Sequence, residues 1–262
     1  MPSEHASLLT AAFAPGRPAF IAYLMGGYPD AGRSLAAMRA VAEAGADIIE
    51  LGVPYADPLA DGPVIQHAAK VARAAAPDGF ALAETLDVAA EFTAQPDMPP
   101  VVIMTYFNPM LRLGLPAVAA RARLAGVSGF IVPDLPPDSA APWLAVSSGI
   151  DTVFLAAPTS TCARLELIGE RSRGFVYCVS SLGVTGERSE LPVELTGLVA
   201  RVKAATPLPV AVGFGVSTPD QAAAVAAIAD GVIVGSALVR RQDDLEALGV
   251  FVSEMAAAVH AR

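Results

Sequence analysis

Eight short apolar runs, separated by longer alanine-rich stretches of helical periodicity, constrain this chain more than any other feature. The runs fall at residues 20–24, 47–51, 101–105, 129–132, 152–156, 174–179, 210–213 and 231–234. Each has the length and apolar character of a buried strand. Helical patterns lie between them at 31–44, 63–75, 138–148, 192–205 and 218–227, with a further helix at 80–92 and a closing one at 244–259. Strands alternating with helices imply parallel pairing. Eight such units close most simply as an α/β fold, a (β/α)8 TIM barrel with extra helices. Barrels of this class need about 250 residues. The 262 residues are therefore expected to form one domain, 1–262, and no linker or low-complexity segment interrupts them.

Several kinds of chemistry are excluded by what is absent. The formal net charge of −9 disfavours a polyanionic partner such as nucleic acid. No uninterrupted apolar run reaches the roughly 18 residues of a membrane span. The stretch from Met1 to Pro18 lacks the basic start and apolar core of a signal peptide, so a cytoplasmic protein is expected. Lys70 and Lys203, the only lysines, fall on predicted helices, which argues against Schiff-base chemistry. His5, His67 and His260 are far apart in barrel order and make no metal site. His67 reads as a solvated helix residue. Cys162 and Cys178 lack metal-ligand spacing and read as reduced core or near-core thiols. The dinucleotide fingerprint and the nucleophile elbow are both missing.

Carboxylates remain. The segment from Ile48 to Pro63 begins as an apolar strand with Glu50 in its middle and ends in a proline-rich loop carrying Asp57 and Asp61. A carboxylate inside an apolar strand is unfavourable unless it is paired or used. Glu50 and Asp61, 11 positions apart, occupy different settings, which is how one site obtains both an acid and a base. Asp61, followed by Gly62 and Pro63, could also be a helix N-cap. A weak internal repeat sets Asp134 near the end of the fourth predicted strand, at a height similar to Glu50. All five tyrosines, Tyr23, Tyr28, Tyr55, Tyr106 and Tyr177, fall in or just after the C-terminal end of a predicted strand. In a barrel that end carries the active site. An aromatic mouth suits a flat aromatic ligand.

A phosphate site is expected after the seventh and eighth predicted strands, which run into Gly213-Phe214-Gly215 and Gly235-Ser236-Ala237. Glycine lets backbone amides approach a ligand closely, and a helix starting at Gly235-Ser236 directs positive partial charge at an anion. The long segment from Ser180 to Glu190, with two glycines, reads as a lid. Acid–base chemistry on a phosphorylated metabolite, with no cofactor in this chain, fits these features. If a carbon–carbon bond is cleaved, the substrate must supply its own electron sink, as an indole ring protonated at C3 can. A sugar-phosphate isomerase or aldolase and a non-catalytic allosteric subunit are the competing readings.

Four motifs resemble the α chains of tryptophan synthase over nearly the whole length. They are Leu51-Gly52-Val53-Pro54-Tyr55-Ala56-Asp57-Pro58-Leu59-Ala60-Asp61-Gly62-Pro63, Gly183-Val184-Thr185-Gly186, Val212-Gly213-Phe214-Gly215-Val216 and Val234-Gly235-Ser236-Ala237. The resemblance implies cleavage of indole-3-glycerol phosphate to indole and glyceraldehyde 3-phosphate, with Glu50 and Asp61 catalytic. It implies that Tyr177, Thr185 and Tyr23 support the site, with Val102 on the indole wall. Gly186, Gly215, Gly235 and Ser236 would hold phosphate. Asp57, Tyr106, Asn108 and Pro136 would face a β chain, whose own cofactor is pyridoxal phosphate, in an α2β2 complex. Exposed Pro, Asn and aromatic residues at the barrel mouth also suit a rigid interface on general grounds. Ser181 stands where many members carry arginine, and Tyr23 where phenylalanine is common.

Overall fold

The computed structural model describes residues 7–58, 61–76, 79–179, 193–213 and 215–261. Its parallel strands are β1 (Ala19–Met25), β2 (Ile48–Gly52), β3 (Val101–Met104), β4 (Gly129–Ile131), β5 (Asp151–Val153), β6 (Leu155–Ala156), β7 (Val176–Val179), β8 (Val210–Gly213) and β9 (Gly231–Val234). The pairing order is β5-β4-β3-β2-β1-β9-β8-β7-β6. Its two ends, β5 and β6, are halves of the fifth predicted strand, interrupted only at Phe154. Tyr177 N donates to Phe154 O at 3.1 Å, so the ladder carries on across the break and the sheet is a nearly closed barrel.

Alternation along the strands sorts side chains to the two faces. Phe20, Ala22 and Leu24, with Ile49, Leu51, Val101 and Ile103, pack outward into one large cluster with the helices. Ile21, Ile48, Val102, Ile131, Val153, Tyr177, Ala211 and Ile233 pack inward as the barrel's own core. Leu9, on the short helix Leu8–Ala11, joins that inner cluster, with Phe13 packed against it. Burying each such aliphatic or aromatic side chain contributes about 1.5–3 kcal/mol. Among the described residues no helix is long and apolar enough to cross a membrane.

The helix expected at 138–148 does not form. A 3-10 turn, Pro137–Ser139, and one α-turn, Ala141–Leu144, take its place. Pro137 and Pro142 lack the amide that a longer helix would need. The segment instead seats Trp143, fully buried, whose Nε1 donates to Thr152 Oγ1 at 3.0 Å. Helices Phe107–Leu113, Leu115–Leu124 and Cys162–Arg171 join those expected from periodicity.

Candidate active site

The period-2 alternation that builds the inner core also sets the contents of the barrel mouth. One step beyond Ile21, Ile48 and Ile233 toward the C-terminal ends, the inward positions are Tyr23, Glu50 and Gly235. Tyr23 pairs in register with Glu50, and Glu50 with Val102. Glu50 thus stands on a strand buried along its whole length and is itself only 2% exposed. Its Oε2 has no hydrogen-bond partner among the described residues. A buried, unpartnered carboxylate oxygen calls for an explanation, and a group that exchanges protons with a ligand supplies one.

Asp61 reaches the same space from the loop after β2. Helix Pro63–Ala74 follows it and packs Ala68, Ala69 and Ala72 against Tyr23, Met25 and Val239. The N-cap of that helix is Gly62, with Pro63 in its first turn, so the alternative reading of Asp61 as N-cap is set aside. Gln66 Nε2 donates to Asp61 O at 2.8 Å and steadies the backbone. The carboxylate is left free to face the mouth, where the Tyr106 hydroxyl donates to it.

These settings separate the two acids. Burial, aided by the neighbouring Asp61 charge, pushes the Glu50 carboxyl up to about 8. Burial also raises Asp61, to about 6, against the downward pull of the Tyr106 hydrogen bond. Tyr23 and Tyr177 are held well above the ordinary phenol value, first by burial and then by the Asp61 and Glu50 charges. Near neutral pH the site therefore contains a protonated Glu50, an ionised Asp61 and neutral phenols.

Two glycines admit the tyrosines. A Cβ at Gly52 would lie 2.2 Å from the Tyr23 hydroxyl, and one at Gly213 would lie 2.2 Å from that of Tyr177. At the same rim, β8 leads past Gly213 to Gly215, whose φ of +88° suits glycine. β9 leads to Gly235 and the single helical turn Ser236–Val239, with Ser236 half-buried. The first amides of such a turn have no partner within it, so they are available to an anion.

Other expectations are corrected. Asp134 is not beside Glu50: it is exposed, lies beyond the end of β4, and its Oδ1 accepts from Phe107 N at 2.8 Å. Tyr106 is not an exposed residue: it is 3% exposed and stacks on Tyr55 with ring centroids 5.2 Å apart. Asp57, Asn108 and Pro136 are exposed, as their sequence setting implied. His67, Lys70 and Lys203 lie on exposed helix positions. Cys178 is buried, but Cys162 is exposed rather than near-core. Thr185, Gly186, Ser181 and the whole lid segment 180–190 lie outside the described residues, as does Phe214. Sequence reasoning missed the hydrogen bond from Tyr106 to Asp61. The tyrosine immediately after β3, at the same end as the other four, was the available signal.

Comparison with known proteins gives a consistent result. A family profile described as tryptophan synthase alpha chain matches residues 9–259. The chain is 46% identical over 267 residues to the tryptophan synthase alpha chain of Mycolicibacterium paratuberculosis, covering 99% of this chain and 97% of that one. It is 44% identical to the Caulobacter vibrioides tryptophan synthase alpha chain, covering 92% and 87%. Among solved structures, Mycobacterium tuberculosis tryptophan synthase superposes with a TM-score of 0.89 at 44% identity, over 99% of each chain. The alpha subunit from Legionella pneumophila superposes at 0.87 with 33% identity, over 97% of each.

Proposed function

Since the chain belongs to the tryptophan synthase alpha chain family, we propose that Glu50 and Asp61 divide between them the acid–base work of its carbon–carbon bond cleavage. The reaction is a lyase step of tryptophan biosynthesis, the cleavage of indole-3-glycerol phosphate to indole and glyceraldehyde 3-phosphate. The observation that carries the division of labour is the contrast between a buried Glu50 with an unpartnered Oε2, pushed up to about 8, and a half-buried Asp61 that accepts from Tyr106, raised only to about 6.

Protonated Glu50 gives its proton to indole C3. The ring nitrogen then carries positive charge, and ionised Asp61 accepts a hydrogen bond from the ring N–H and stabilises it. Glu50, now a carboxylate, takes the proton of the glycerol hydroxyl on the adjacent carbon. The carbon–carbon bond breaks, its electron pair returns to the ring, and the hydroxyl carbon becomes the aldehyde. Glu50 ends protonated, as it began. A positioned proton transfer of this kind contributes about 10²–10⁴-fold. Tyr23, Tyr177 and Val102 wall the indole pocket, while Gly215, Gly235 and Ser236 receive the phosphate. Thr185 and Gly186 are assigned to the lid and phosphate from the sequence motif alone.

No cofactor is needed in this chain for that sequence of steps; the pyridoxal phosphate of the complex belongs to the β chain. The exposed positions Asp57, Asn108 and Pro136 around the mouth support a docking face for that chain. One barrel domain over 1–262 works in the cytoplasm within an α2β2 heterotetramer. Incubating the purified chain with indole-3-glycerol phosphate, with and without a β chain, and quantifying both products tests it. Glu50→Gln and Asp61→Asn are each expected to reduce indole release by roughly 100-fold or more with an unchanged circular dichroism spectrum. Near-wild-type turnover in either variant would refute the assignment.

A further inference from the structure

The loops after β2, β3 and β4 converge on one phenol. Tyr106 follows β3, is 3% exposed, and donates its hydroxyl to the Asp61 carboxylate. Its ring lies against Tyr55 from the loop after β2, with centroids 5.2 Å apart and planes inclined by 29°. The Tyr55 hydroxyl accepts a hydrogen bond from Asn108 Nδ2 at 3.1 Å. Asn108 belongs to the first turn of helix Phe107–Leu113, and the amide at the start of that helix, Phe107 N, donates to Asp134 Oδ1 from the loop after β4. Tyr106 is therefore fixed on its ring face by Tyr55 and along its backbone by the residue that follows it.

We propose that Tyr106 is the positioning residue of the Asp61 carboxylate, and that Tyr55, Asn108 and Asp134 form the bracket that holds it. The proposal rests on the reading of Asp61 as the carboxylate that faces the substrate nitrogen. A carboxylate on a loop has several rotamers, and a single donor on a stacked, buried ring selects one. The same donor stabilises the charged form. Among the described residues, the other titratable groups that face Asp61 are Glu50 from β2, Tyr23 from β1 and Tyr177 from β7. Glu50 stays protonated until about 8, and the two phenols stay neutral. Tyr106 is thus the residue whose removal changes Asp61 most directly near neutral pH. The outer end of the bracket, Asn108, is exposed on the face proposed for the β chain. A docked partner that displaces Asn108 would act on Asp61 through two stacked rings.

Carbon-13 carboxylate NMR of the aspartate-labelled chain, with Asp61 assigned by Asp61→Asn, tests the bracket without requiring turnover. Tyr106→Phe keeps the ring and loses the donor. It is expected to move the Asp61 midpoint above about 6. The acidic limb of kcat should move the same way, with activity at pH 6 falling about 10-fold and the deficit narrowing toward pH 7.5. Tyr55→Phe keeps the stack and loses the Asn108 contact, and Asp134→Ala frees the helix start; each should give a smaller shift in the same direction. A Tyr106→Phe midpoint equal to wild type, or an equal loss of activity at every pH, overturns the proposal. If Tyr106→Phe does not fold, the Tyr55→Phe midpoint decides, and no shift there overturns the bracket. A wild-type chain that releases no indole refutes the reaction reading instead, and leaves the NMR result to judge the positioning role.

Discussion

Replacing Glu50 by glutamine should change how stability depends on pH as well as slow catalysis, and the size of the change follows from its burial. In the unfolded chain a glutamate titrates near 4.5, whereas in the fold burial and the Asp61 charge push Glu50 to about 8. Between those values the native state holds a proton that the unfolded state has released. Stability contributed by Glu50 is therefore fully present below about 4.5 and is lost as pH rises through about 8. The loss is at most roughly 1.4 kcal/mol for each pH unit, a ceiling of about 5 kcal/mol over the window. Glutamine has nearly the same shape and no titration. Its amide introduces a buried donor, which costs about 1–3 kcal/mol if unpaired, but that offset does not vary with pH. Urea unfolding at half-unit intervals from pH 5 to pH 8.5 separates the two effects. Wild type should lose stability with rising pH more steeply than Glu50→Gln, by about 1 kcal/mol per unit. Parallel slopes would mean that Glu50 is not buried as described and that its proton is not held to neutral pH.

Other parts of the structure give sharper tests of packing. Gly213→Ala sets a Cβ 2.2 Å from the Tyr177 hydroxyl, whereas Gly197→Ala meets nothing within 4 Å. The first should destabilise by about 1–3 kcal/mol and the second should be neutral or stabilising, read as thermal midpoints; the reverse order would contradict the account. Asp47 accepts from Phe20 N at 2.8 Å and from His260 Nε2 at 2.7 Å, and it pairs with Arg17. Asp47→Ala should therefore cost about 2–3 kcal/mol and His260→Ala about 1 kcal/mol or less, and equal losses in urea titrations would show that the backbone contact is unimportant. Cys162 is exposed, while burial pushes the Cys178 thiol up to about 12. Native alkylation at pH 8 should therefore add one label by mass spectrometry and leave indole release unchanged; a second label or lost turnover would place a thiol in the site.

The barrel was legible in the sequence because one signal, apolar runs at strand length, recurs at every strand. The inward placement of Glu50 follows from the same signal: it is two residues from Ile48, which faces the barrel core. What was not legible depended on tertiary partners. The break at Phe154 looks like continuous strand in the sequence, because Val153, Leu155 and Ala156 on either side of it are apolar. The helix Cys162–Arg171 contains Gly169, which lowers its helical signal. There a Cβ would approach Thr206 Cβ to 2.8 Å, so the glycine serves close packing. A local repeat pairs Asp134 with Glu50 in the sequence. β4 ends at Ile131, however, so Asp134 lies past the strand end and points to a neighbouring helix start, while Glu50 lies within β2. Tyr106 is expected on the partner face from the family resemblance and its place at the barrel mouth, but its partners, the Tyr55 ring and the Asp61 carboxylate, lie in other parts of the chain and bury it.

A crystal structure of Asp61→Asn with indole-3-glycerol phosphate bound would show whether one substrate lies between the two carboxylates. Such a structure should show indole C3 toward Glu50, the ring nitrogen within hydrogen-bond distance of residue 61, and the phosphate against the Gly235 and Ser236 amides. A substrate bound with its phosphate elsewhere, or with its ring turned away from Glu50, would contradict it.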